Sequence, residues 1–218
     1  VTGRPRRPHG GGNPPRPTTV AQAQQTTAQV AHAGRASGTA SAPPAPSSQT
    51  GGAALAAIMD RYERLGDEPP RFNIARNDDA YKAYGAHTID RHSPDLPLPR
   101  DPTSKTIEGR VYADKGWKDA VNRSYRWTDP STMNREINEY VRQNWETIRG
   151  DLALSGFHEG TFDAGHRVGE GYYNKGMWGA GPRQAEYGET SQVVVRVRLV
   201  PDSDPPEPFI VSAFPGLL

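Results

Sequence analysis

The residues best placed to do chemistry lie in Gly85-Ala86-His87-Thr88-Ile89-Asp90-Arg91-His92, where two of the six histidines stand beside an acid and a base. An imidazole exchanges protons near neutral pH, and a neighbouring guanidinium supplies a permanent cation with a planar fork of donors. The stretch therefore suits acid–base work on an anion. If the segment is helical, His87 and Arg91 lie one turn apart, whereas His92 falls about 140° around the axis from His87. The two imidazoles then diverge, so one can enter a pocket while the other supports it. The same spacing also describes a pair of locally satisfied surface histidines.

Further polar groups stand in apolar runs near the C-terminus. Ser212 shares a face with Ile210 and Phe214 at the strand period, and Arg196 and Arg198 alternate out of a valine run. A buried hydroxyl bonded to a neighbouring carbonyl accounts for Ser212, and a solvated sheet face accounts for the arginines. Contact with phosphate oxygens would also need such guanidiniums. The glycines at 165, 169 and 171 neither follow a buried strand nor open a helix, so they are not a dinucleotide fingerprint. His158 and His166, with Glu159 and Asp163, lack the spacing of metal ligands and read as loop residues. There is no G-x-S-x-G elbow, and the absence of cysteine removes thiol nucleophiles, thiolate metal sites and disulfides. Neither a cofactor nor a metal is expected.

These groups must be held by something, and composition says that the first 50 residues are not part of it. Residues 1–50 carry five arginines but no acid, aromatic, Leu or Ile. Such a segment buries too little to offset about 1–2 kcal/mol of backbone entropy per residue. It is expected to be an unfolded linker. Of the 26 basic residues, 21 remain beyond it against 25 acids, a net −4, so a polyanion site would have to be a local patch. No run of 18 apolar residues and no secretory leader is present, and the initial Val suggests the C-terminal piece of a longer protein.

The segment 51–66 carries Leu55, Ile58, Met59 and Tyr62 at helical spacing and is read as a linker or accessory helix. Asp78 and Asp79 suit the start of a helix running to His92. Residues 93–129 read as a long loop without a periodic element. Asp129-Pro130 then caps a helix over about 131–153, with Met133, Ile137, Tyr140, Val141, Trp145, Ile148 and Leu152 on one face. Valines at 193, 195 and 197 and the run 209–214 predict a hairpin. Helices first and strands last give an α+β fold, with helices packed on one antiparallel sheet.

In chain order, HTIDRH (87–92), SYRWTDPSTMNREINEYVRQNWETI (124–148), FDAGHRVGEGY (162–172), VVVRVRL (193–199) and FIVSAFP (209–215) together resemble the bacterial RNase A-like toxin domain. That domain is found at the C-terminal ends of contact-dependent inhibition and other polymorphic toxins. The resemblance covers about residues 80–218 and places the domain at 67–218. It implies a kidney-shaped α+β fold without disulfides and metal-independent endonucleolytic cleavage of RNA, with tRNA a candidate substrate. It also implies a cognate immunity protein as partner, a monomer, and delivery from a cell surface or by secretion into the cytoplasm of a target cell.

Carried over, the family's histidine falls on His87 or His92, its hydroxyl on Ser212 and its aromatic hydroxyl on Phe214, which has none. Tyr172, Tyr173 or Tyr187 would then have to supply that group. The family's arginine falls on Arg100, with Arg91 and Arg110 as alternatives, and Arg196 and Arg198 are further candidates for holding substrate. Of the histidines, His87 is expected nearer the middle of its helix and hence the better-held base, with His92 ending the helix in support. RNA brings its own nucleophile, the 2′-hydroxyl, so a base, cations on the phosphorane and a proton source complete the chemistry. The alternatives are a barnase-like or endonuclease-U-like ribonuclease toxin and a non-catalytic interaction module.

Overall fold

The computed structural model describes residues 48–176 and 181–217. The expected linker lies outside them, apart from Ser48–Thr50 at the start of the first helix. In chain order the elements are α1 (Ser48–Leu65), α2 (Ile74–Tyr81) with a 3-10 turn (Lys82–Tyr84), α3 (Thr88–His92), α4 (Gly109–Tyr112), β1 (Arg123–Trp127), α5 (Pro130–Ser155), β2 (Phe157–Asp163), β3 (Gly169–Asn174), β4 (Ala185–Thr190), β5 (Gln192–Leu199) and β6 (Pro208–Pro215). The chain is α+β. Its strands form two three-stranded antiparallel sheets, β1-β3-β4 and β2-β5-β6, where one sheet was expected.

Helix α5 begins and ends on local chemistry. Asp129 accepts from the Thr132 N–H, Pro130 occupies the first turn, and Gly156 takes the left-handed conformation (φ 74°) that closes the helix. Its apolar stripe from Met133 to Leu152 packs with Val193, Val195 and Val197 of β5 and with Ile210 and Ala213 of β6. Helix α1 lies on α5: the Trp145 indole N–H donates to the Gly66 carbonyl, and the buried Arg149 donates to the Tyr62 carbonyl. Trp127 links the two sheets, since it is wholly buried and its indole N–H donates to the Ala213 carbonyl on β6.

Four expectations about the site region need correction. The helix expected to run through His87 is interrupted, because Gly85 adopts φ 93° and ends the 3-10 turn. His87 is thus the N-cap of the short α3 rather than a mid-helix residue. Asp78 and Asp79 lie inside α2, and the Asp78 carboxylate instead accepts from the Ile89 N–H, in the first turn of α3. Residues 93–129 contain α4 and β1, and are not a featureless loop. Finally, Ser212 and Ile210 do not share a face. A register shift pairs Arg196 with Ser212 but Val197 with Ile210, leaving Val211 as the extra residue of a bulge. Ile210 consequently turns into the core, while Ser212 faces the side that carries Arg196.

Candidate functional site

Helix α3, the α4 region, β1 and β6 border a cleft of about 380 Å³. Its lining includes His87, His92 and four arginines, Arg91, Arg110, Arg123 and Arg196, with no Asp or Glu among the described residues. In a chain whose portion beyond residue 50 is net acidic, this concentration is a local cationic patch.

His92 is the most firmly held group in the cleft. It is 6% exposed, its Nδ1 lies 2.8 Å from the Tyr125 carbonyl, and its ring stacks on Phe214 at 4.9 Å between centroids. A carbonyl only accepts, so Nδ1 carries the proton and Nε2 keeps the lone pair. Burial, followed by the charge of Arg110, holds its pKa down at about 3, and His92 is neutral at neutral pH. His87 is built similarly but less deeply. Its Nδ1 lies 2.6 Å from the Gly85 carbonyl, and its backbone N–H donates to the Val211 carbonyl of β6. Partial burial lowers its pKa, with Arg91, Arg110 and Arg196 acting in the same direction.

The arginines are not equivalent. Arg196 is paired with Glu159 and lies over the Phe214 ring, 5.4 Å from its centroid. Arg123 donates to the Leu217 carbonyl. Arg110 has no carboxylate partner among the described residues and rests over Trp117. Desolvation, followed by repulsion from Arg91, lowers its pKa to about 10, so it remains a cation at neutral pH. Arg91 is exposed, and its guanidinium forms no ion pair or hydrogen bond among the described residues. Unlike Arg196 and Arg123, these two guanidiniums spend no donor on another protein group among the described residues.

Ser212 is fully buried, and its hydroxyl has no hydrogen-bond partner among the described residues. Arg100 lies outside the cleft, clamped to Asp114 by two hydrogen bonds and stacked over Tyr112. Arg198 faces a different groove. The tyrosines considered as substitutes for a hydroxyl at Phe214 are placed elsewhere: Tyr173 donates to Glu186, Tyr187 to Glu170, and Tyr172 packs edge-on against Tyr187. The phenol bordering the cleft is Tyr125, which sequence reasoning missed together with Arg123 and Asn122. Alternation of Arg123, Tyr125 and Trp127 in RSYRW is the strand signal that could have found two of them. His158 and His166 are engaged within the fold, and no group of metal-binding side chains occurs among the described residues.

No family model and no curated protein matches this chain. Among solved structures, a CdiA-CT/CdiI complex from Y. kristensenii 33638 is similar over 61% of this chain and 100% of the compared chain, at 15% identity and a TM-score of 0.43. That likeness is too loose to assign an activity.

Proposed function

We propose that the cleft binds a phosphodiester and cleaves RNA without a metal, and that the chain is an RNase A-like toxin restrained by a cognate immunity protein. The observation that carries the chemistry is the lining itself: two imidazoles and four guanidiniums, with no Asp or Glu among the described lining residues and Glu159 reaching one of the guanidiniums, Arg196. The toxin and immunity reading rests on the motifs from HTIDRH to FIVSAFP.

In this reading, Arg110 and Arg91 hold the nonbridging phosphate oxygens and take up charge as the phosphorane forms. His92 Nε2 accepts the 2′-hydroxyl proton, the 2′-oxygen attacks phosphorus, and the bond to the 5′-oxygen breaks. His87, in its protonated form, gives that oxygen its proton. The products are a 2′,3′-cyclic phosphate and a 5′-hydroxyl. A base must be pre-organised, and this selects His92 over His87, since His92 is the histidine that packing fixes. Burial is the main cause that depresses His92; a bound phosphate offsets the added charge of Arg110 and shifts the pKa of both His92 and His87 upward. Arg100 is assigned a structural role, Ser212 lies beneath the cleft, and the Phe214 ring positions His92.

Incubating the protein with total RNA and with tRNA in EDTA tests the proposal. Fragments ending in 2′,3′-cyclic phosphate are expected. Loss of cleavage with chelator and its restoration by a divalent ion would overturn the metal-free mechanism. An intact RNA pool, and no harm on expression without an immunity protein, would favour the interaction module.

A further inference from the structure

The cleft has a neighbour on the same face of the β2-β5-β6 sheet. Arg196 and Arg198 point the same way from β5, where their cross-strand partners on β2 are Glu159 and Phe157. Arg196 lines the cleft, and Arg198 lines a groove of about 450 Å³ with Tyr84, Phe157, Phe209 and Arg61. A second connection runs in parallel: the segment Tyr84–His87 has its first residue in the groove and its last in the cleft. The two concavities therefore adjoin along both margins.

The groove also has the composition of a nucleotide site. Arg198 is exposed, and its guanidinium makes no ion pair or hydrogen bond among the described residues, resting over the Phe157 ring at 5.7 Å from its centroid. Phe157 and Tyr84 are 37% and 46% exposed, so each presents an aromatic surface to solvent. Arg61 is held on the Ala153 carbonyl, and Asp202 is the one acid of the lining. Two residues along a strand advance about 6.6–6.8 Å, roughly one nucleotide of an extended single strand. Guanidiniums at that step beside exposed rings are what a sequence-tolerant single-strand track requires.

We propose that this groove is a second RNA subsite, holding a nucleotide that flanks the scissile phosphate, with Arg198 on its phosphate and Phe157 or Tyr84 stacked on its base. The inference rests on the ribonuclease reading of the cleft for its orientation but has its own readout. Anisotropy with a 2′-O-methyl decanucleotide, which cannot be cleaved through its 2′-oxygen, compares the whole protein with its Arg198→Ala/Phe157→Ala variant. About tenfold weaker binding by the variant is expected, with Arg198→Lys restoring part of the loss. In cleavage, the ratio of kcat/KM for a decanucleotide to that for a dinucleotide should fall about tenfold, through KM rather than kcat. Equal binding by the two proteins, or no decanucleotide binding by the parent, overturns the subsite. If the parent binds but does not cleave, the ribonuclease reading fails, while the anisotropy comparison still decides the groove.

Discussion

His92 and His158 are buried to nearly the same degree, 6% and 5% exposed, yet their surroundings differ. His158 has both nitrogens occupied, Nδ1 at 2.7 Å from an Asp151 carboxylate oxygen and Nε2 at 2.9 Å from the Tyr140 hydroxyl. In distances alone it resembles a catalytic relay. Its partners, however, use up its hydrogen-bonding capacity and fasten β2 to α5, so it is a structural joint. His92 spends one nitrogen on a carbonyl and borders a cleft whose described charged lining residues are arginines. Saturation, rather than burial or a short hydrogen bond, separates the two.

The largest expected effect comes from replacing these histidines in turn. His92→Ala should lower RNA cleavage by about 10²–10⁴-fold, the range for removing a general base, and by more than His87→Ala does. His158→Ala should leave the folded protein active but destabilise it by about 1–3 kcal/mol, because the buried Tyr140 hydroxyl loses its partner. Rates together with urea midpoints for the three variants decide the matter. An inactive but stable His158→Ala would invert the comparison, and His87→Ala falling below His92→Ala would exchange the base and acid roles.

A similar contrast holds for arginines. Arg110, half-buried without a carboxylate, should cost about 10²–10³-fold when changed to Ala, as expected for a donor to a developing oxyanion. Arg100 lies outside the cleft and is already committed to Asp114, so Arg100→Ala should change kcat/KM by less than about threefold. Comparable losses at both positions would mean that Arg100 leaves Asp114 to reach substrate.

The last contrast is read in stability against pH rather than in rate. His92 has a folded pKa of about 3 against the 6.5 of an ordinary histidine, so between these the unfolded chain binds a proton that the folded chain does not. Stability from this residue is therefore full above about pH 6.5 and is lost as pH falls towards 3. His92→Leu should flatten that part of a plot of urea midpoint against pH. An unchanged slope would show that the imidazole is not held neutral.

Much of the scaffold was legible because its signals are local. Asp129-Pro130 and the stripe from Met133 to Leu152 mark α5 to within two residues at each end, since a cap and a 3.6-residue period are both written in consecutive positions. The histidine pair was also visible as a cluster. Its arrangement was harder to read: Gly85 carries the signal for a helix break, but its left-handed conformation depends on how the 3-10 turn meets β6.

Sequence by itself thus determined the α+β class, the long helix, the valine strand and the requirement that any polyanion site be local. Tertiary structure decided which groups form that site. Arg110 reaches the cleft whereas Arg100 does not, because α4 turns one guanidinium over Trp117 and Asp114 captures the other. A single extra residue, Val211, puts Ile210 into the core and Ser212 under the cleft, and no period in the sequence announces it. The physical reason is common to both cases: helical and strand periods follow from backbone geometry shared by all residues, whereas register, bulges and the choice of ion-pair partner depend on contacts between segments distant in the chain.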